Sequence, residues 1–450
     1  IDITPTYSGP IWWVSTTGND ETGEGSSGNP YKSLKHALEH VTSGDTIMIK
    51  PGTYTGEDNR NIRIDIHGNS DGEKYKNLVI TSEKGPSETI FDAGKQHRHF
   101  SFDIGNNGSI DSTLQIIGIT FRGGRESNEG GSFWLFASDG LYNNSLGYNV
   151  PPRLSPKFVN CVFIDNATGG SGSSVGGAFY IRNASPIFES CVFDSNSSGA
   201  GGAMYFAGNN YTRTDTVWIR NSTIKNNYVS DGGSNNQENW NVQGGGIHMS
   251  YGINAYIYNT VFENNNAMSY NNQSGSYGGA LNIDNYWNPV YYPMVWIINS
   301  RFTKNKVNHF GGNTNTHGGA IYAGAPHVIA NTVIDSNYAE FSGGNGRGMG
   351  AGLFISVQSQ WDQDGNEIKA RSYLVNNTIV NNIASSASFG EGEHAGIRIN
   401  DHKQTSGTWF NNIIWGNRAS NDLNPEKGNL DWHNITPSDP QNFELVVGYN

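Results

Sequence analysis

Apolar residues along this chain come in short alternating runs, and the runs repeat. Val, Ile, Phe, Tyr and Thr take every second position, and Gly, Asn, Ser and Asp close each run. That pattern belongs to half-buried strands and not to helices. The recurring unit is Asn-x-x-Phe/Ile-x-x-Asn. It reads Asn160-Cys-Val-Phe163-Ile-Asp-Asn166 and Ser190-Cys-Val-Phe193-Asp-Ser-Asn196, and continues from Asn221 to Asn227, Asn259 to Asn265, Asn299 to Asn305, Asn331 to Asn337, Asn376 to Asn382 and Asn411 to Asn417. A worn copy, Gly118-Ile-Thr-Phe121-Arg-Gly-Gly124, precedes them. A self-similar period of about 30–45 residues implies units that cannot bury an apolar face alone and must stack.

Aligning the copies gives three inward columns: Phe163, Phe193, Ile224, Phe262, Phe302, Ile334, Ile379 and Ile414; Phe158, Phe188, Ile219, Ile257, Ile297, Ile329, Leu374 and Trp409; and, after a Gly-Gly-Ala step, Phe179, Met204, Ile247, Leu281, Ile321, Leu353 and Ile397. Like residues aligned coil on coil predict an all-β chain, a single-stranded right-handed parallel β-helix with three strands per coil. The Asn column is expected to serve two ends at once. Asn tolerates the left-handed backbone of a tight corner, and stacked about 4.8 Å apart its amides bond along the ladder.

The chain is expected to form one elongated domain over residues 1–450, with a cap over 1–45 and coils over 46–450. In the cap, Leu34, Ala37, Leu38 and Val41 fall on one helical face with Ser33 near its start, predicting a short amphipathic helix that covers the open end of the first coil. That coil is read in Gly44-Asp-Thr-Ile-Met-Ile-Lys-Pro-Gly-Thr-Tyr54. The last residues, Phe443-Glu-Leu-Val-Val-Gly-Tyr-Asn450, read as a strand of an unfinished coil.

Charge narrows the partners. With 40 Asp and Glu against 28 Lys and Arg, the net charge of −12 disfavours nucleic acid and anionic membranes. No apolar run approaches the roughly 18 residues of a membrane-spanning helix, so membrane insertion is not expected. High Gly and Asn with only two Cys fits a secreted or cell-surface bacterial protein. Cys161 and Cys191 occupy the same place in consecutive coils, and either a disulfide or two inward thiols fits.

Chemistry must come from outward columns and loops. On the Gly-Gly-Ala strand the outward residues are Tyr180, Tyr205, His248, Asn282, Tyr322, Phe354 and Arg398, followed by Arg182, Ala207, Ser250 and Asp284. Long loops preceding this strand (228–244, 266–277, 306–317, 338–349 and 383–394) are expected to wall this face into a groove for a polysaccharide, with Tyr180, Tyr205, Arg182 and Phe354 binding it. His248, Asn282 and Tyr322, with Arg398 nearby, are the candidates for β-elimination, which needs a uronate-neutralising group, a base and an acid. Hydrolysis would use two carboxylates, Asp284 with Asp401, Glu391 or Glu393. A second outward stripe, Trp218, Tyr256, Trp296, Val328 and Tyr373, is apolar. It is either covered by loops 207–216 and 285–294 or is a surface for a glycan or for self-association. Asp362, Asp364 and Asn366 in Trp361-Asp-Gln-Asp-Gly-Asn-Glu367 have the flavour of a calcium loop, on what reads as a hairpin; Ca2+ is the one cofactor considered. The twelve His are not read as a zinc set.

The repeats resemble known families. Gly318-Gly-Ala-Ile321 and the Phe-x-x-Asn segments ending at Asn166, Asn196, Asn265 and Asn305 are similar to the repeats of polymorphic outer-membrane proteins. That resemblance implies an adhesin, though those relatives carry a membrane barrel that is not seen here. Val14-Ser-Thr-Thr-Gly-Asn-Asp20 through Pro51-Gly-Thr-Tyr54 is similar to the opening of secreted pectate-lyase-like β-helix proteins, and Asn411-Asn-Ile-Ile-Trp-Gly-Asn417 to their late coils. The paired-Asp calcium cluster of the pectate lyases is not found on the groove strand. Two functions are therefore carried forward: a secreted or cell-surface polysaccharide-binding protein, with lyase or glycosidase activity included, and a non-catalytic adhesin or subunit of an extracellular assembly.

Overall fold

The computed structural model describes residues 7–68, 72–143, 148–150, 152–169, 173–208, 215–232, 241–250, 252–270, 275–284, 294–312, 314–343, 346–357, 360–361, 367–368, 370–386, 394–400, 405–419 and 444–445. They build a right-handed parallel β-helix. Its walls are long parallel sheets: sheet 1 with thirteen strands from Ile11–Val14 to Glu444–Leu445, sheet 2 with eleven from Gly52–Tyr54 to Ile413–Trp415, and sheet 4 with ten from Ile62–Ile66 to Ile397–Ile399. These carry the three inward columns, in the register expected; Phe121, Phe163 and Phe193 pair in series in sheet 2, and Phe158 pairs with Phe188 in sheet 1. Between sheets 2 and 4 runs an additional ladder, sheet 3, nine strands from Arg125–Glu126 to Arg418–Ala419. Its strands of two to four residues, such as Ala167–Thr168 and Lys306–His309, are too short to show a period in sequence.

The interior is aromatic near the first coils. Phe121 stacks on Phe163 at 5.6 Å and Phe163 on Phe193 at 4.9 Å, while Phe133 stacks on Phe179 at 4.8 Å. Burying each such side chain contributes about 1.5–3 kcal/mol. Later coils exchange Phe for Ile, as at Ile224, Ile334 and Ile379, all buried.

Corners and ladder prove to be separate jobs, which corrects the single Asn column. The first Asn of each unit has a left-handed backbone, as at Asn160, Asn221 and Asn259. At the second corner the left-handed residue is the one before the last Asn: Asp165, Ser195, Asn226, Asn264, Lys304, Ser336 and Asn381. The last Asn points inward. Asn265 Nδ2 donates to Ile224 O at 2.8 Å and to Asn305 Oδ1 at 2.9 Å, its N–H donates to Asn305 Oδ1 at 3.0 Å, and its own Oδ1 accepts from Asn227. The same set of bonds runs along Asn166, Asn196, Asn227, Asn305, Asn337 and Asn382, all fully buried. The ladder starts on the worn copy, where the Gly124 N–H donates to Asn166 Oδ1.

Cys161 and Cys191 are two buried free thiols, not a disulfide. They head a polar column continued by Ser222, Thr260, Ser300, Thr332 and Asn377, in which the side-chain oxygens of Ser222, Ser300, Thr332 and Asn377 accept from the backbone N–H of the coil before, as Ser222 does from Cys191. Burial, then the Cys161 contact, pushes the Cys191 thiol pKa up.

At the N-terminal end the helix α1 spans Leu34–His40 with Leu34, Ala37 and Leu38 buried, and the Ser33 side chain accepts from His36 N–H as its N-cap. The expected cap also contains a strand: Ile11–Val14 pairs with Thr46–Ile49 and is the first member of sheet 1. Among the described residues no helix is long and apolar enough to cross a membrane.

Candidate functional site

The Gly-Gly step governs what stands on sheet 4. Gly278 has φ +61°, and a Cβ there would lie 2.4 Å from Leu281 O, so only glycine makes this turn. The turn brings the preceding residue back across the outer face. Val242–Gln243, Ser276–Tyr277, Thr316–His317 and Gly348–Met349 form a short four-stranded parallel ladder of their own. From it Tyr277 meets Tyr322 edge-on at 5.1 Å, His317 meets Phe354 at 4.5 Å, and Gln243 Nε2 donates to Asp284 Oδ2 at 3.0 Å.

The register Tyr180, Tyr205, His248, Asn282, Tyr322, Phe354, Arg398 is as the sequence predicts. The face is a covered one, however, and not the open groove expected. Tyr180, His248, Asn282 and Phe354 are buried, with His248 1% exposed; Tyr205, Tyr322, Arg398 and Asp284 are half-buried. The rings stack on one another, Tyr180 on Tyr205 at 6.0 Å and Tyr205 on His248 at 4.8 Å, leaving their faces to each other. Asn282 Nδ2 donates to His248 Nδ1 at 2.8 Å, so the imidazole is neutral with its proton on Nε2. Burial lowers its pKa to about 3. Burial likewise raises the Tyr322 phenol to about 12 and lifts the Asp284 carboxyl against the opposing Gln243 bond. Arg182 stands beside Tyr180 at one end of the register and donates to Asp139 at 3.1 Å. The residues missed by sequence reading are Gln243, Tyr277 and His317. Their signal is positional: each stands immediately before a Gly-Gly pair. Asp401, Glu391 and Glu393 lie outside the described residues.

The apolar stripe on sheet 1 is the more open surface. Trp218, Tyr256, Trp296, Val328 and Tyr373 stand in one register. Trp218 stacks on Tyr256 at 4.1 Å and Tyr256 on Trp296 at 4.4 Å, with the rings nearly parallel in both pairs. Trp218 is 39% exposed, and Tyr258 and Phe410 in the neighbouring column are exposed too. A stack of this kind presents ring edges along its length and a full ring face only at its ends. The end is Trp218. Its register neighbour on the far side is Ile187, and there a cleft of about 380 Å³ opens, lined by Asp111, Ser112, Arg153, Ser155, Ser185, Ile187, Thr216 and Trp218. Hydrogen bonds from Thr113 hold the Asp111 carboxyl pKa below its ordinary value, with Arg153 assisting. The cleft thus offers one aromatic ring, an anion, a cation and several hydroxyls.

Asp362, Asp364 and Asn366 lie outside the described residues, although the strands flanking them, Gln360–Trp361 and Glu367–Ile368, pair as the expected hairpin. The reading that the histidines hold no ligand set is corrected. His36 and His40 stand four residues apart on α1, with Glu39 beside them.

Comparisons with known proteins reach only parts of the chain or its general shape. Residues 16–87 match the family described as a protein of unknown function, DUF1565. An uncharacterized protein of Bacillus subtilis (strain 168), YwoF, is 33% identical over 84 residues, which are 17% of this chain and 16% of that protein's length. Among solved structures, a mannuronic-acid-specific polysaccharide lyase of family 6 from the human gut microbiota is similar over 98% of this chain and 92% of its own, with TM-score 0.44 and 10% identity. Pectate lyase Pel9A is similar over 92% and 78%, with TM-score 0.38 and 16% identity, and a rhamnogalacturonan lyase over 88% and 86%, with TM-score 0.35 and 14% identity.

Proposed function

We propose that this chain is a glycan-binding β-helix protein, secreted or displayed at a cell surface, that seats a sugar residue on Trp218 in the sheet 1 cleft. The observation carrying this reading is Trp218, 39% exposed at one end of an aromatic stack and lining a polar cleft. An indole face takes the apolar CH side of a pyranose, and carboxylate, guanidinium and hydroxyl groups around it take the sugar hydroxyls. The remaining stack, Tyr256 and Trp296, extends the apolar track along the fibre-like axis for further units of a polymer. The test is affinity electrophoresis of the purified chain through gels carrying neutral or acidic polysaccharides. Trp218→Ala is expected to weaken retardation at least tenfold, and Arg153→Ala to weaken it less. Unchanged retardation of the Trp218 variant, or no retardation of the parent by any glycan, sinks the reading.

A second reading, catalysis at the sheet 4 cluster, is favoured by one observation: Asp284 is held toward its protonated form among Gln243, Tyr277 and Tyr322. A carboxyl whose pKa is raised is better suited to general-acid work than an ordinary one. His248, with its pKa near 3, is poorly matched to taking a proton at neutral pH, so Asp284 and Tyr322 carry this reading. New reducing ends or unsaturated-uronate absorbance in the same incubations, lost in Asp284→Asn, would bear it out.

A further inference from the structure

The capping helix carries three ligand-type side chains that nothing in the glycan reading uses. His36, Glu39 and His40 occupy one turn of α1, and one donor atom from each lies within 4.8 Å of the other two. His36 Nε2 and His40 Nε2 are 3.3 Å apart. Two nitrogens bound about 2.0–2.1 Å from a tetrahedral ion must themselves be about 3.3 Å apart. The pair is therefore already at chelating distance. Glu39 Oε2 lies 3.5 Å from His36 Nδ1, and its side chain is 63% exposed, free to swing to a common ion without moving the helix.

The imidazoles are also held in place. Tyr31, a buried residue bridged to Val14 at the edge of sheet 1, meets His36 edge-on at 4.7 Å and stacks on His40 at 5.0 Å. Buried Trp12, itself stacked on Tyr31 at 6.0 Å, also meets His40 at 5.7 Å. Ser33 caps the helix through the N–H of His36 itself. Side chains whose orientation is set by surrounding packing lose little entropy on ligation.

We infer that His36, Glu39 and His40 form a binding site for a divalent transition-metal ion, Zn2+ foremost, on the outer turn of the cap. Two imidazoles and one carboxylate suit Zn2+, Cu2+ or Ni2+, whereas Ca2+ takes oxygen ligands only. Three protein donors leave the remaining position to water, so the ion is exchangeable. The ion ties the two ends of α1 to each other over Tyr31 and Trp12, at the end of the coil stack. Ligation that occurs only in the folded state stabilises that state.

The experiment uses the full chain without a polyhistidine tag, stripped with EDTA and titrated with ZnCl2 against a chromophoric zinc indicator. One Zn2+ per chain is expected at micromolar or better affinity. His36→Gln and His40→Gln should each weaken it at least tenfold, Glu39→Gln should weaken it less, and the double His variant should lose it. Thermal melting of the parent should rise with Zn2+ and not with Ca2+, and the double variant should melt as the metal-free parent does, which also shows that it folds. Zn2+ uptake unchanged in the double variant would place the ion elsewhere and overturn the inference. Absence of uptake by the parent at millimolar Zn2+ would overturn it as well. Neither result touches the glycan site, which lies on other coils.

Discussion

Two adjacent residues of the same type show how position decides what an amide does. Asn264 is left-handed at the corner, with φ 54°, and its side chain meets Asn226 at the exposed surface. Asn265 is fully buried and bonded above and below. Asn264→Gly keeps the backbone freedom the corner needs and is expected to change stability by less than about 0.5 kcal/mol. Asn265→Gly strands the Asn227 donors and the Ile224 carbonyl in a buried interior, at a cost of about 2–5 kcal/mol. Urea unfolding followed by circular dichroism separates them; equal midpoints for the two variants would refute the division of labour. The repeat of Asn was plain in the sequence because eight copies align. Which Asn turns and which bonds was not, since both roles favour the same residue and differ only by a one-residue step round a corner.

At the scale of elements, the strands with an apolar period were legible and those without one were not. Columns such as Phe163 to Phe193 and His248 to Asn282 could be aligned because inward residues repeat on each coil. The two-residue strands Ser276–Tyr277 and Thr316–His317 hold no period at all, so the sheet 4 face was expected to be an open groove when Tyr277 and His317 in fact lie over it. The candidate site was therefore legible as a register and not as an exposure. The hinge of that cover is the Gly-Gly step, and its necessity is testable. Gly278→Ala forces a side chain into a left-handed turn 2.4 Å from a carbonyl oxygen, and is expected to destabilise by more than about 2 kcal/mol. Gly28→Ala, where nothing lies within 4 Å, is the neutral counterpart. A Gly278→Ala protein with the parent's urea midpoint would mean that the step tolerates another turn geometry.

For the whole molecule, the buried imidazoles set the response to acid. His99 and His327 are each satisfied as neutral rings: His99 Nε2–H donates to Phe91 O while Nδ1 accepts from Ser132 Oγ, and His327 Nδ1–H donates to Ala325 O while Nε2 accepts from Ser372 Oγ. Burial lowers the pKa of His99, His317 and His327 to about 4 and that of His248 to about 3. In the unfolded chain these groups titrate near 6.5. Above that value both states hold neutral rings and stability is independent of them. Between about 6.5 and 4 the unfolded state binds protons that the folded state refuses, so stability falls with falling pH, by about 1.4 kcal/mol per pH unit for each proton. Asp284 acts with the opposite sign, since its raised pKa lets the folded state bind a proton first, but it is one group against five, because burial lowers the His309 pKa as well. Carboxylates held low by partners, Asp92, Asp111 and Glu189, add their loss only below about pH 4. The urea midpoint is therefore expected to drop clearly between pH 7 and pH 5, before the carboxylates titrate, and to drop less in His327→Gln, which removes one of these rings. A midpoint that stays level over that interval would mean that the rings protonate without leaving the folded state, and that the stack around them opens more readily than its burial implies.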